Sequence, residues 1–279
     1  MITSIVRPKS VAEAVRARTA PGAAYLGGGT WLSSGRAESV TTLVSLEHLG
    51  LDSIRVEGAK STAYHGAKRG ALESGRCIIG ASVTFQSLVD SPLVPPVLRA
   101  AARLTASRTL RNMVTIGGEL GLLPDDSAVI PVLIVLGAEV SVAGRKKPLP
   151  IESLLDDDGT GLILGVSVPR QALAAVQAVS RTSHSPRLVV AAVSARAAAP
   201  TLEQPRLVLS DCRGLRVRLS GTERNLDGEL LPPRQTIEAL ARAEFSPQSG
   251  PYASAAYKRY IAGVMIADLV GGFLDEVSR

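Results

Sequence analysis

Cysteine and histidine are scarce in this sequence. Its 279 residues include only two cysteines, Cys77 and Cys212, and three histidines, His48, His65 and His184. A disulfide framework is excluded. A self-contained iron–sulfur cluster or cysteine-rich zinc site is excluded too, because each takes about four ligands. The histidines lack the spacing of metal ligands and are more typical of surface or core positions. We therefore expect that this chain brings no metal to its chemistry.

Long hydrophobic runs are also absent. The best candidate, residues 128–138, is bounded by Asp125, Asp126 and Glu139, and it falls short of the roughly 18 residues that cross a bilayer. The first ten residues, MITSIVRPKS, lack the apolar region of a secretory signal. We therefore expect no membrane partner and a cytoplasmic location.

Aromatic residues make up only 3% of the sequence, although its net charge of +6 and pI of 9.6 invite a nucleic-acid interpretation. Stacking platforms need more aromatics than that, and many arginines have acidic residues nearby. We therefore expect no nucleic-acid partner. One exception is the run Arg99, Arg103, Arg108 and Arg111. It either faces a partner subunit or an anionic ligand, or forms a solvated helix face.

Strands and helices alternate along the first 170 residues. The pattern predicts strands at 23–26, 42–45, 53–57, 77–80, 113–120, 138–142 and 162–168. It predicts helices after Ser10, after Thr84 and after Pro95-Pro96, and a buried helix at 126–136. Residues 169–173 are predicted to join two domains. Beyond them we expect strands at 188–197 and 206–209, a helix after Pro233 and a long helix at 254–276.

Two glycine-rich segments, LGGGT at 26–30 and TIGG at 115–118, are the candidates for chemistry. Each is predicted to be a strand end followed by consecutive glycines with an adjoining threonine. Without Cβ atoms the backbone can bring successive N–H groups around one anion, and a threonine hydroxyl adds a neutral donor. Together the segments could clamp a diphosphate, whereas either one alone is more typical of a tight turn or bulge. Neither matches a Walker A loop or the GxGxxG fingerprint.

In this order, the motifs resemble one family. GGGT at 27–30 resembles the Ala-Gly-Gly-Thr loop of the FAD-binding subunits of molybdenum hydroxylases, the xanthine dehydrogenase and carbon monoxide dehydrogenase family. RNMVTIGG at 111–118 is similar to its second loop, and IGASVT at 79–84 to its Ile-Gly-Ala-x-x-Thr element. SAAYKRY at 254–260 resembles its Ser-x-x-Tyr-Arg/Lys-Arg element. The likeness covers nearly the whole chain and is nearest to a branch found beside selenate-reductase-type components.

The resemblance implies an α+β fold with FAD as the cofactor. It implies a two-part FAD-binding domain of the PCMH/VAO type at 1–170, with subdomains of about 1–55 and 56–170, and a smaller α/β carboxy-terminal flavoprotein domain at 171–279. Electrons would pass from a [2Fe-2S] partner to NAD or another acceptor, and the iron–sulfur and molybdopterin centres would lie on partner subunits. The chain is then an oxidoreductase subunit that is inactive alone and has no catalytic residue of its own. The implied cofactor-binding residues are Ala24, Tyr25, Leu26, Gly27, Gly28, Gly29, Thr30, Trp31, Val114, Thr115, Ile116, Gly117, Gly118, Glu119 and Leu162.

Four positions depart from the family pattern. Trp31 stands in place of an Asp after the first loop, and Glu119 in place of an Asn after the second. Ala128 and Gln177 stand where the family has an Asp and a Lys near the flavin. An ionised Glu119 about 4 Å from a phosphate would cost about 1 kcal/mol in water and about 4 kcal/mol at an effective dielectric of about 20. A second hypothesis therefore stays open: a non-catalytic scaffold that has the fold but binds FAD weakly or not at all.

Overall fold

The computed structural model describes residues 2–34, 39–58, 75–105, 107–155, 161–170, 173–182, 185–198 and 201–277. Its strands are β1 (Ser4–Val6), β2 (Ala23–Leu26), β3 (Thr42–Ser45), β4 (Ile54–Glu57), β5 (Arg76–Gly80), β6 (Glu139–Val142), β7 (Leu149–Pro150), β8 (Ile163–Pro169), β9 (Leu173–Ser180), β10 (Arg187–Ala198), β11 (Thr201–Asp211) and β12 (Arg216–Arg218). Its α-helices are α1 (Val11–Arg18), α2 (Phe85–Asp90), α3 (Pro96–Leu104), α4 (Arg108–Arg111), α5 (Ile116–Leu122), α6 (Val129–Val135), α7 (Ile151–Leu155), α8 (Ser220–Leu226), α9 (Arg234–Glu244) and α10 (Ala255–Val277).

The first of two compact units comprises Met1–Pro95, Ala106–Leu123 and Gly137–Arg170. Strands β1, β3 and β2 form a parallel sheet in that order, and β4, β5, β8, β6 and β7 form an antiparallel one. Helix α1 packs on the parallel sheet, where Ala14 shares a core with Val44. Because side chains alternate along a strand, Tyr25 lies on this covered face and Leu26 on the other.

The second unit comprises Pro96–Thr105, Pro124–Leu136 and Gln171–Arg279. Its antiparallel sheet has the order β12-β11-β10-β9. Helix α10 packs on one face, where Val193 shares a core with Ile266. Helices α3 and α6 pack against β9 and β10, and the hydroxyl of Ser194, which alternates with Val193, donates to the carbonyl of Val135 at 2.6 Å. Burial on both faces explains the continuous apolar run at 188–193.

Most of the predicted elements are confirmed, with ends that differ by a few residues. Ser10 and Thr84 begin α1 and α2, and their hydroxyls accept the N–H groups of Glu13 and Ser87 at 3.2 and 3.1 Å. Helix α6 begins at Val129 rather than at 126, because the hydroxyl of Ser127 accepts two of its first N–H groups. Strand β9 was not predicted, because its sequence LAAVQAVS lacks the alternation of a half-buried strand.

The strand predicted at 113–120 is wrong. Thr115 is extended, and a helix, α5, begins at Ile116. The Thr115 hydroxyl accepts the Gly118 N–H at 3.1 Å, which is the hydrogen bond of a helix N-cap. Two glycines are compatible with this helix because its first turn packs closely on the chain after β5, where a Cβ on Gly117 would lie 2.7 Å from that of Ala81.

The division into units also differs from the predicted one. The chain leaves the first unit for the last time after residue 170. Two segments from the first 170 residues nevertheless belong to the second unit, namely 96–105 and 124–136. Of the predicted junction at 169–173, residues 171 and 172 lie outside the described residues. The boundaries of domains that fold independently stay a prediction.

Candidate functional site

The first glycine loop leaves the carboxyl end of β2 in the parallel sheet. Gly29 has a φ of +72°, a conformation that glycine adopts without strain. The Gly29 carbonyl accepts the N–H of Ser33 at 3.0 Å and so closes the turn. Within the described part of the chain, no protein atom accepts the N–H groups of Gly28, Gly29 and Thr30. The loop therefore offers consecutive main-chain donors to a ligand.

The two glycine segments meet within the first unit. A Cβ on Gly28 would lie 1.4 Å from the Met113 carbonyl oxygen, so no side chain fits at this position. A Cβ on Gly27 would lie 2.9 Å from the Thr115 hydroxyl oxygen. The predicted meeting of two segments that are far apart in sequence is therefore confirmed, and glycine is the residue that lets their backbones approach.

The second segment offers fewer main-chain donors to a ligand than its sequence predicted. The N–H groups of Ile116 and Gly117 donate to the carbonyls of Val83 and Ala81 at 3.0 and 2.8 Å. The Gly118 N–H is held by Thr115. These amides are used inside the protein, so the expectation that bare amides from both segments surround an anion needs correction. Among the described residues, this side retains two donors at Thr115: its main-chain N–H, and its hydroxyl proton, whose oxygen is already an acceptor.

The other predicted site residues lie around this meeting point or beneath it. Trp31 is half-buried and lies in the turn that leads into a short 3-10 helix, Leu32–Ser34. The carbonyl of Val114 accepts the N–H of Phe85 at 2.9 Å. Glu119 is 9% exposed in the first turn of α5. Leu162 is 2% exposed in the core under α1, so its side chain belongs to the packing of the parallel sheet.

Ala24, Tyr25 and Leu26 lie on β2 and are half-buried. Burial raises the pKa of the Tyr25 phenol, and Arg18, whose guanidinium lies 5.9 Å from the ring centroid, lowers it in part. Tyr25 faces α1, so Ala24 and Leu26 are the two of these three side chains on the opposite face. A ligand role for each remains a prediction.

Two features near the site were missed by sequence analysis. The carbonyl of Met113 fixes the distance between the two loops, which no side-chain pattern reveals. The hydroxyl oxygen of Ser82 is buried and has no hydrogen-bond partner in the part of the chain that the structure describes. It lies between Ala81 and Val83, whose carbonyls hold the start of α5. A buried hydroxyl without a partner is uncommon and marks a position where a ligand or water can donate or accept.

The site shows the chemistry of an anion cradle. Within the described residues, no group of three or more His, Cys, Asp or Glu side chains could hold a metal ion. His65 and His184 lie outside the described residues.

No helix in the described ranges is long and apolar enough to span a membrane. Arg99 and Arg103, the first pair of the arginine run, lie four residues apart on α3, whereas Arg108 and Arg111 lie on α4. Arg103 and Arg108 are exposed, and Arg111 donates to Gln86 at 3.2 Å.

The sequence matches a protein family described as FAD binding domain in molybdopterin dehydrogenase over residues 1–171. It is 32% identical over 274 residues to the uncharacterized protein YgfM of Escherichia coli (strain K12), and the match covers 96% of this chain and 95% of the relative.

Two solved structures are similar in fold. Carbon monoxide dehydrogenase from Hydrogenophaga pseudoflava, in a form that lacks the Mo-pyranopterin moiety of the molybdenum cofactor, has a chain with a TM-score of 0.83 at 23% identity. That match covers 97% of this chain and 96% of the other. Quinoline 2-oxidoreductase from Pseudomonas putida 86 gives a TM-score of 0.84 at 18% identity and covers 99% and 98%. Together with the family match, these similarities confirm the predicted α+β fold class, and FAD as the cofactor.

Proposed function

Because the chain belongs to the family of FAD-binding domains of molybdopterin dehydrogenases, we propose that it is the electron-transfer subunit of a molybdenum hydroxylase complex of the xanthine dehydrogenase type. It takes electrons from a [2Fe-2S] partner and passes them to NAD or another acceptor. FAD supplies the redox chemistry when it is bound. The chain's own residues bind the dinucleotide and orient it, and turnover needs the partner subunits.

The observation that carries this proposal is the meeting of the two glycine segments. Gly28 approaches the Met113 carbonyl so closely that the first loop stands directly beside Thr115. The N–H groups of Gly28, Gly29 and Thr30, which have no acceptor among the described residues, therefore belong to a loop that lies next to the Thr115 hydroxyl. Consecutive main-chain donors of this kind favour the oxygens of a diphosphate. The residues present therefore fit FAD, with most of the donors on the first loop.

The composition supports partner subunits as the source of the other redox centres. Two cysteines are too few for the four ligands of a [2Fe-2S] cluster. The similar structures come from a carbon monoxide dehydrogenase and a quinoline 2-oxidoreductase, and the former is in a form that lacks the Mo-pyranopterin moiety of its molybdenum cofactor. We therefore propose that iron–sulfur and molybdopterin-binding subunits complete the complex.

Glu119 decides between this proposal and the scaffold alternative. An FAD titration of the purified chain, followed by flavin fluorescence, should show saturable binding to the wild type. Because Glu119 is 9% exposed, Glu119→Asn should then tighten binding by at least about fivefold, since the about 1 kcal/mol cost of a nearby carboxylate in water is the lower bound. In the scaffold alternative the wild type takes up no FAD and Glu119→Asn creates binding. A folded wild type and a folded Glu119→Asn variant that both fail to bind FAD would contradict the proposed function.

A further inference from the structure

Exposed tyrosines are concentrated at one place in a chain that has few aromatics. Among the described residues, the large aromatic side chains most open to solvent are Tyr252, Tyr257 and Tyr260, which are 44%, 44% and 56% exposed. Tyr252 lies shortly before α10, and Tyr257 and Tyr260 lie in its first two turns. By contrast, Phe85 and Phe245 are fully buried. Exposed tyrosines near arginines are characteristic of protein interaction surfaces, where they give large contact area at low entropic cost.

Two of these tyrosines line a cleft of about 460 Å³ in the second unit. Tyr252 and Tyr257 form one side. The end of β9 forms the other, with Ser180 and the exposed Arg181. Ser254 adds a hydroxyl. The cleft therefore combines two phenol rings, two serine hydroxyls and one guanidinium.

Buried contacts hold the tyrosine side of the cleft in place. The Lys258 ammonium is fully buried and donates to the Asp211 carboxylate at 2.8 Å and to the Gln248 carbonyl at 3.0 Å. The Gly250 N–H donates to the Ala253 carbonyl at 3.0 Å, which closes the turn that carries Tyr252. The Ser254 hydroxyl accepts the Tyr257 N–H at 3.2 Å at the start of α10. The aromatic wall is thus preorganised, and binding to it orders little additional chain.

The charge around the cleft favours an anion. Among the described residues that line it, Arg181 is the charged one, and none is a carboxylate. Arg213 does not line the cleft, but its guanidinium donates at 3.0 Å to the carbonyl of Ser249, in the segment that leads to Tyr252. Beyond the cleft, Arg242 stacks on Tyr260 with 4.9 Å between the guanidinium carbon and the ring centroid. Aspartate or glutamate side chains would therefore meet favourable potential and a two-donor guanidinium fork.

We infer that this tyrosine–arginine cleft is a docking site for an acidic segment of a partner protein. The cleft is open to solvent, so a small molecule would leave much of its surface wet, whereas bound small molecules are mostly enclosed. A peptide segment can place one carboxylate on Arg181 and lay its neighbouring residues across Tyr252 and Tyr257. The cleft lies in the second unit, so this docking is expected with or without FAD and does not depend on the proposed function.

The test is a selection of random peptides displayed on phage against the whole chain, followed by fluorescence anisotropy with the enriched peptides. Enriched peptides should contain Asp or Glu, and their neutral Asn or Gln counterparts should bind at least about tenfold more weakly. Arg181→Glu should weaken binding of the acidic peptides at least about tenfold, and so should Tyr257→Ser. Both residues are exposed, so the melting temperature of each variant should match that of the wild type.

Arg224→Glu is the matched control, because Arg224 is an exposed arginine on α8 that does not line the cleft. It makes the same change of net charge and should leave binding unchanged. The inference is overturned if no peptide is enriched or if the enriched peptides lack acidic residues. It is also overturned if Arg224→Glu weakens binding as much as Arg181→Glu does. Peptide binding that depends on whether FAD is bound, and that is equal for Arg181→Glu and the wild type, would also overturn the inference. That result would leave the flavin proposal intact.

Discussion

Gly28 shows how a single missing side chain determines the site. Its backbone lies against the Met113 carbonyl, and a Cβ there would be 1.4 Å from that oxygen. Gly29 is glycine for a different reason, its φ of +72°. The sequence shows both as members of one GGG run and gives no means of telling close approach from backbone conformation.

The variant Gly28→Ala tests the contact between the loops. The added methyl must push the first loop away from Met113 and Thr115, so we expect FAD to bind at least about tenfold more weakly, or about 1.4 kcal/mol. Equilibrium dialysis with FAD would measure it. Gly121→Ala is the control, since a Cβ there meets no atom within 4 Å on α5. It should leave FAD binding unchanged and stabilise the helix by up to about 1 kcal/mol. Equal FAD affinity for the wild type and Gly28→Ala would contradict the site geometry.

The two cysteines should differ in reactivity. Burial raises the pKa of the Cys77 thiol from 9.0 to about 11, and Arg170 lowers it in part. Cys212 is half-buried. Because the thiolate is the reactive form, a disulfide thiol reagent near neutral pH should label Cys212 in the native protein, and both thiols after denaturation. Cys212→Ser should abolish native labelling.

The same pKa shift gives a stability prediction with a definite sign. The folded pKa of Cys77 lies above the unfolded one, so the unfolded thiol loses its proton first. The free energy of unfolding should therefore fall as the pH rises from 9.0 towards about 11. Cys77→Ala should show a smaller fall over this range. An identical pH dependence of the two proteins in urea unfolding would contradict the burial of this thiol.

At the scale of elements, helix starts are the features that the sequence predicts best. Ser10 and Thr84 are polar caps that act within three residues, so local sequence is enough to find them. Thr115 is the same kind of cap, yet the apolar and glycine residues that follow it favoured a strand. The helix forms there because Ala81 and Val83, distant in sequence, accept its first N–H groups. That information lies in tertiary contacts and not in the TIGG segment.

Helix α8 depends on a cap from another helix. Its own N-cap, Leu219, has no side-chain acceptor. The Glu244 carboxylate instead accepts the N–H groups of Gly221 and Thr222 at 2.8 and 2.6 Å, and the Thr222 hydroxyl at 2.6 Å.

Removing that cap should lower the stability of the second unit. Glu244→Ala leaves two helix N–H groups and a hydroxyl without their acceptor, so we expect the free energy of unfolding to fall by about 1–3 kcal/mol. Urea unfolding followed by circular dichroism would measure it. Glu229→Ala is the control, since Glu229 is exposed and outside α8. Equal losses in both variants, or no loss in Glu244→Ala, would contradict the capping role.

At the scale of the whole molecule, the fold class and the FAD family followed from the motifs, but the composition of the two units did not. Helices α3 and α6 were correctly predicted as helices, but the sheet against which they pack was not predicted. The apolar faces of these helices predict that they are buried, but not which element buries them. The sheet that they cover includes β9, whose sequence lacks the alternating pattern of a half-buried strand. The contact between the two glycine segments could be predicted, because their order along the chain resembles that of a known family. The resemblance implies this long-range contact, which local sequence does not.

The most direct test of the central claim is backbone amide hydrogen exchange, measured with and without FAD, over peptides that cover residues 27–30 and 115–118. The N–H groups of Gly28, Gly29 and Thr30 have no protein acceptor among the described residues, whereas those of Ile116, Gly117 and Gly118 do. We predict that FAD slows exchange strongly at 27–30 and much less at 115–118. Binding of FAD with no slowing of exchange at 27–30 would contradict the claim that this loop holds the diphosphate.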